Sequence, residues 1–384
     1  MQLRRLFVLG LVLCARTASA DDNKYRGSAE MTGYTDNNAV TVLTPTVAAA
    51  VERPTAGWGV NGSYLVDIVT AASPDIVSTA TRRWTEVRHA GSLGGNYKPG
   101  LLGVSGAFAF SSEPDYLSFG GGATLLYELD EKNTTLSAGY GHSSDTIGRH
   151  GTPFSIFSRS LDKNDVSVGV SRVLDKATLV AFVADGHFER GDQSKPYRYV
   201  PMFTAENARL VPRGASPDDI AALRRPERVL EQLPLERDRY SVTARLLRRF
   251  SASTFRIEQR FYADTWALFA ETTDSRWLFD LGDRLRLGPH VRVHRQGAVD
   301  FWKRAYVMTS DSDFPKFRTG DRELGALWNF TGGGSGRYVL GALDVPTTFA
   351  LTMTADVTHT IFEDAIYVKS RIAGFLAIGV EVER

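Results

Sequence analysis

Between Tyr116 and Asp145 the chain reads YLSFGGGATLLYELDEKNTTLSAGYGHSSD, and this stretch restricts the fold more than any other. From Leu117 every second residue is apolar or small: Leu117, Phe119, Gly121, Ala123, Leu125, Tyr127 and Leu129. The intervening positions hold Ser118, Gly120, Gly122, Thr124, Leu126, Glu128 and Asp130. After Glu131–Asn133 the alternation restarts with Leu136, Ala138 and Tyr140. Successive side chains of a strand point to opposite faces, so the pattern predicts a hairpin with one apolar face and one polar or small face. Its first strand is about 13 residues long, whereas soluble strands run about 5–6 and a tilted bilayer-spanning strand needs about 9–11. Lipid on one face and a wet lumen on the other is the environment of an outer-membrane β-barrel strand.

The chain begins MQLRRLFVLGLVLCARTASA, with Arg4 and Arg5 before an apolar Leu6–Ala15 core and a small-residue Ala18-Ser19-Ala20 site. This predicts a cleaved secretory signal peptide over 1–20 and a single barrel over 21–384. Cys14 is the only cysteine and leaves with the leader. A disulfide, a thiolate metal site and a Cys nucleophile are thereby excluded from the exported chain. Losing Arg4, Arg5 and Arg16 leaves 42 basic against 44 acidic residues, a balance that gives nucleic-acid binding no support. No later stretch reaches about 18 continuous apolar residues, so no transmembrane helix is expected.

Alternating runs fall at about 26–35, 39–53, 57–71, 83–97, 101–111, 116–129, 134–145, 163–174, 177–188, 238–249, 254–268, 273–281, 284–301, 321–331, 337–358 and 366–384. The expected fold is therefore an all-β, up-and-down antiparallel transmembrane barrel of sixteen strands; fourteen follows if the first runs and 337–358 are divided differently. Short connections with turn chemistry fall at Arg53–Gly57, Lys98–Gly100, Asp130–Asn133, Asp175-Lys176, Ser251–Ser253, Gly282-Asp283 and Gly332–Gly336. Longer ones lie between them at 72–82, 146–162, 189–237, 269–275 and 302–320. Short periplasmic turns alternating with longer outer loops are the habit of such barrels, and an even strand count puts both termini in the periplasm. In the longest loop, 189–237, Ser216, Pro217 and Asp219 read as a helix N-cap, a first-turn proline and a first-turn acid. Ile220, Leu223, Val229, Leu230 and Leu233 continue an apolar face until Pro234, with Pro226 dividing it. A loop this long with structure of its own is a functional element, a lumen plug or a folded surface loop.

Six strings, Tyr64–Asp75 (YLVDIVTAASPD), Ser171–Leu179 (SRVLDKATL), Glu231–Tyr240 (EQLPLERDRY), Asp264-Thr265-Trp266, Val291–Trp302 (VRVHRQGAVDFW) and Thr319–Leu327 (TGDRELGAL), spread over nearly the whole exported chain. In them the sequence resembles an uncharacterised family of Gram-negative outer-membrane β-barrel proteins known only as a domain of unknown function. The resemblance implies a barrel in the outer membrane, in contact with its lipid, and a periplasmic or lipoprotein partner; it implies no activity. One departure is the last residues, Val382-Glu383-Arg384, where such barrels usually end in an aromatic residue.

Charges crowd the faces opposite the apolar ones in the C-terminal half. Arg256, Glu258, Arg260 and Asp264 oppose Phe255, Ile257 and Phe261; Asp280, Arg284, Arg286, His290, Arg292 and His294 oppose Leu285, Leu287, Val291 and Val293. Lys369, Arg371 and Glu381 follow near the end. A charge facing lipid costs about 2–4 kcal/mol near the midplane, so these side chains are expected in the lumen. There they would line a water-filled pore favouring small anionic solutes, or form an internal salt-bridge ladder. His290 and His294 share a face, but about 13 Å of strand separates them, too far for one metal. No metal, cofactor or haem motif is found, so any redox centre would belong to a partner. His142 and Ser144 also share a face near the outer end of their strand, with Asn164 placed to orient the base. They resemble the His-x-Ser pair of outer-membrane phospholipases and form a lipid-hydrolase candidate. Trp58, Tyr64, Trp84, Tyr97, Tyr116, Trp266, Trp277, Trp302 and Trp328 stand at run ends, where interfacial aromatic girdles are expected.

The expected function is thus a porin-like channel, passive or partner-gated. The alternatives are a non-conducting scaffold or receptor and, third, a hydrolase using His142 and Ser144.

Overall fold

The computed structural model describes residues 22–71, 84–196, 198–341 and 346–384. The expected leader and the whole of the 72–82 loop lie outside the described residues. Sixteen antiparallel strands close into one barrel. They are β1 (Lys24–Asp36), β2 (Val40–Arg53), β3 (Trp58–Ala71), β4 (Trp84–Tyr97), β5 (Leu102–Glu113), β6 (Tyr116–Leu129), β7 (Thr134–Ile147) and β8 (Arg159–Asp175). Around the other half run β9 (Thr178–Gly191), β10 (Glu236–Arg249), β11 (Ser253–Asp264), β12 (Phe269–Leu281), β13 (Leu285–Gln296), β14 (Leu327–Leu340), β15 (Thr348–Phe362) and β16 (Ser370–Glu383). Each strand pairs with its sequence neighbour, and β1 closes the ring on β16 through pairs such as Ala29↔Val380 and Gly33↔Leu376. Closure leaves no unpaired edge, as every backbone polar group in a bilayer requires.

The alternation that predicts the strands also sets their faces. Leu93, Phe108, Leu125, Val168, Phe182, Val242, Val291, Met353, Val357 and Ile378 are all more than a third exposed. They occupy the outward set of positions, which lies in lipid. Two aromatic rows bound this band. Tyr97, Tyr127, Trp277, Tyr338 and Phe349 stand near the short turns, and Phe119, Tyr140, Tyr240, Phe261 and Phe269 stand toward the long loops. Tyr116, Trp266 and Trp302 depart from the expected girdle. Tyr116 turns inward to bond Asp145, while Trp266 and Trp302 belong to an apolar cluster in the loops.

Five boundaries differ from the sequence reading. Gly332–Gly336 is the middle of β14, paired with β13 and β15, so it is not a turn. A Cβ on Gly333 would collide with the Ala355 carbonyl oxygen; this glycine allows close strand approach, and the reversal falls instead after Leu340. The run 254–268 ends at Asp264, followed by a tight turn in which Ala267 takes a positive φ of 63°. The expected loop 269–275 is consequently strand, and 284–301 ends as strand at Gln296. The run 321–331 begins as strand only at Leu327.

One end of the barrel carries a folded cap, built from 192–235, 265–268, 297–326 and 363–369. Residues 192–235 contain α1 (Ala205–Leu210) and α2 (Pro217–Leu223). The Ser216 N-cap forms a reciprocal capping box with Asp219, as that tetrapeptide predicts. The second apolar piece is not helical: Val229-Leu230 pairs antiparallel with Tyr199-Val200. Met202-Phe203 adds a short parallel ladder to Tyr306-Val307, which joins the two longest loops. The largest fully buried side chains, Tyr306, Phe203, Phe362 and Met202, lie in or beside this cap. The barrel interior is lined mainly by polar side chains, so the apolar core sits over its mouth.

Candidate functional site

The inward faces of β10–β14 form a charged wall. Continuing the alternation from Arg237 gives Arg239, Ser241, Thr243, Arg245 and Arg249 on β10, four arginines that the expected site omitted. Their signal was present in the sequence, in the period-two spacing of the ERDRY string and the residues after it. Arg276 and Asp274 on β12 and Arg337 on β14 complete the set.

Most of these charges are paired. Arg245 and Arg256 share Glu258 at 2.6 and 2.8 Å. Asp280 takes Arg249 at 2.5 Å and Arg286 at 2.6 Å. His290 lies between Asp274, at 2.9 Å, and Asp356, at 3.3 Å. Arg239 binds Glu189 at 2.5 Å, and Arg337 binds Glu381 at 2.9 Å. Asp264 has a structural post: it accepts from Arg237 at 2.5 Å, from Tyr262, and from the backbone N–H groups of Trp266 and Leu268. His294 meets Thr272 Oγ1 at 2.8 Å. Arg284 lies in the turn before β13 and Lys369 in the cap, so neither is on a strand. Arg371 reaches up from β16 to Glu323 of the cap at 3.0 Å.

Two expected residues stand apart. Arg260 donates to Ser241 Oγ at 3.1 Å, with no carboxylate in ion-pair range among the described residues. Arg292 has neither an ion pair nor a hydrogen bond among them. Both line a cavity of about 530 Å³ with His294, Tyr262, Leu268 and Leu324. The opposite wall is different in kind. A cavity of about 570 Å³ there is lined by short side chains such as Asn61, Ser92, Ser105 and Thr124, with Gly94 and Gly122, and by Asp165, Asp185 and His187.

The cap is held over the charged wall by polar bonds as well as apolar packing. Buried Glu231 accepts from Thr319 Oγ1 at 2.7 Å and pairs with Arg198 at 3.3 Å. Arg198 also reaches Asp321 at 3.0 Å. Burial alone would raise the Asp321 carboxyl, but Arg198 beside it holds it below the usual carboxylate value. Burial pushes Glu323 up, with Arg371 opposing that shift. Burial likewise pushes Tyr306 up to about 12; its hydroxyl donates to the Phe301 carbonyl and accepts from Thr319 N–H. At the lumen, Gln296 Nε2 donates to the carbonyls of Glu323 and Gly325 at 2.7 and 2.8 Å, fastening the cap to β13.

His142, Ser144 and Asn164 lie on the lipid-facing set of positions. Asn164 Oδ1 is 3.1 Å from His142 Nδ1 and also accepts from the Tyr140 hydroxyl at 2.8 Å. Ser144 pairs in register with Asp162 of β8. Arg295 and Glu271 also take lipid-facing positions, but at strand ends, where Arg295 stacks 4.9 Å over Trp328. The penalty for a charge falls to about 0–1 kcal/mol near the interface.

No curated protein matches the chain. Among solved structures, a bacterial polysaccharide outer membrane secretin is similar at 8% identity over 94% of this chain and 97% of that one, with a TM-score of 0.47. Pseudomonas aeruginosa OccK2 is similar at 10% identity over 94% and 98%, TM-score 0.43. Vibrio cholerae OmpT, an outer membrane protein, is similar at 9% identity over 96% and 100%, TM-score 0.41. The chain spans about half the length of the siderophore receptor PirA of Acinetobacter baumannii, 53% at 8% identity and TM-score 0.41. Residues 44–338 match the model of the family described as Protein of unknown function (DUF3570). With that match across most of a closed sixteen-strand barrel of the outer-membrane kind, the chain belongs to the DUF3570 family.

Proposed function

We propose that this protein is a porin-like outer-membrane channel for small anionic solutes, with the cap narrowing its mouth. The observation that carries the reading is the pair Arg260 and Arg292, neither in a direct ion pair among the described residues, on an inward wall whose other arginines are held by carboxylates. Fixed charge in a wet lumen tunes which ions enter, and low-dielectric walls focus its field. A barrel of sixteen strands is wide enough for an aqueous path, and the small side chains of the opposite wall leave that path free.

Liposome swelling tests the proposal. Vesicles containing the folded protein should swell faster in an iso-osmotic anionic solute than in a cationic one of equal size, and the double variant R260Q/R292Q should lose that difference. Equal rates in the unaltered protein would refute anion preference.

A second reading, a non-conducting receptor or scaffold for a periplasmic or lipoprotein partner, is favoured by the cap, whose apolar clusters and buried ion pairs give it a defined shape over the mouth. Vesicles that do not swell at all, from protein still folded as a barrel, would support this reading over the first.

A further inference from the structure

The cavity beneath the cap has a chemistry more specific than its sign. It is lined by three carboxylates, and each is already committed to a cation. Glu258 is held by Arg245 and Arg256, Asp274 by Arg276, with the His290 ring hydrogen-bonded beside it, and Glu323 by Arg371. Arg237, also in the lining, is neutralised by Asp264. Arg260 and Arg292 therefore remain as the two guanidinium groups of the lining with no direct ion pair among the described residues, Arg260 reaching Asp185 only through the Ser241 hydroxyl. At the roof and the adjoining turn the lining changes character: Leu324 comes from the cap, Leu268 from the turn before β12, and Ala270 lies next to them. Leu268 is buried against Trp266 and Val299, so this end is part of a packed apolar wall.

We infer that this cavity is a binding site for a small organic anion, a carboxylate with a short apolar body. Its head group would take the donor forks of Arg260 and Arg292, and its body would cover the half-buried Ala270 and Leu324 beside the buried Leu268. The inference rests on the anion-channel reading, because the solute reaches the cavity through the lumen. A planar carboxylate matches the guanidinium fork, and charge-assisted hydrogen bonds of this kind are roughly twice as strong as neutral ones. An inorganic ion would leave the apolar end uncovered, and a neutral amphiphile would leave both arginines unpaired. The volume, about 530 Å³, falls in the range of roughly 300–1,000 Å³ typical of small-molecule sites.

Calorimetric titration of the full, detergent-folded protein tests this directly, with hexanoate, acetate and hexan-1-ol as ligands. Hexanoate should bind saturably, acetate more weakly, and hexan-1-ol not at all. In R292Q hexanoate affinity should drop by about tenfold or more, which is about 1.4 kcal/mol. Arg292 holds no partner whose loss would unfold the wall, so R292Q should stay heat-modifiable. A second variant, L324S, lies outside the strands and should weaken hexanoate while leaving acetate unchanged. Equal binding of hexanoate and hexan-1-ol, or hexanoate affinity unchanged in R292Q, would overturn the inference. The titration needs no conduction, so the two readings fail separately. Saturable binding to a barrel that never conducts would retain the site and remove the channel; conduction without hexanoate binding would do the reverse.

Discussion

Glu231 accepts a hydrogen bond from the Thr319 hydroxyl at 2.7 Å across 88 positions of sequence, a buried polar link between the two longest loops. The same carboxylate receives the backbone N–H of Lys195 and the guanidinium of Arg198. This buried acid thus ties 192–235 to 297–326, beside the Met202-Phe203 ladder and the Gln232–Arg318 bridge that join the same loops.

Removing that acid leaves Arg198 and Thr319 buried without their acceptor, a loss of about 3–5 kcal/mol when one partner of a buried pair is deleted. Glu231→Ala should open the cap and leave the barrel intact. Limited proteolysis should cut within 192–235 in the variant at protease levels that spare the unaltered protein, while both remain heat-modifiable barrels. Identical cleavage would refute the link.

Acid should open the same cap through Asp321. Its folded value lies below the ordinary 3.8, so its contribution to stability is fully present above about 3.8 and is lost as pH falls through the lower folded value. Glu323 has the opposite sign, because a raised carboxyl contributes stability below its ordinary value of 4.5 and loses it as pH rises through the folded value. Emission from Trp266 and Trp302 should therefore show an acid transition below about pH 4 that Asp321→Asn abolishes. A transition unchanged in that variant would assign it to another group.

The glycines of β14 separate two positions one residue apart. A Cβ at Gly333 would collide with Asp356 and the Ala355 carbonyl, whereas one at Gly332 meets nothing within 4 Å. Gly333→Val should destabilise the barrel by about 1–3 kcal/mol or more through overpacking, and Gly332→Ala should be neutral. Folded fraction by heat-modifiability after urea titration distinguishes them, and equal midpoints would contradict the β13–β14–β15 register.

On the lipid side, Ile378 is 53% exposed to the bilayer face of β16. Ile378→Arg should cost about 2–4 kcal/mol if this position lies near the midplane, measured by reversible unfolding in phospholipid vesicles. A change near zero would place it at the interface.

The barrel was legible in the sequence because lipid on one face and water on the other impose a strict period of two, which Leu117–Leu129 displays residue by residue. Where the period carried no contrast, the reading failed. Gly332–Gly336 has no side chains to alternate, so its turn composition prevailed over its place in a strand. Asp264 and Trp266 both look like strand residues in DTW, and only the bonds from Trp266 and Leu268 N–H to Asp264 reveal a turn. The helix at Ser216 was readable from its cap residues. Its partners, Ala305, Ile366 and Tyr367, come from distant segments whose proximity no local pattern encodes. The charged wall was visible as a set of residues, but which charges were paired was not. Pairing depends on register between strands, which left Arg260 and Arg292 indistinguishable from Arg256 and Arg286 until the neighbours were in place.

If Arg260 and Arg292 set the selectivity of the lumen, as proposed, the reversal potential of single channels across a salt gradient in a planar bilayer shows it most directly. The unaltered protein should give steady steps with an anion-selective reversal potential, and R260Q/R292Q should shift that potential toward zero while Arg337→Gln, whose charge is paired one to one with Glu381, shifts it less. Steps whose reversal potential is the same in all three proteins would contradict the account.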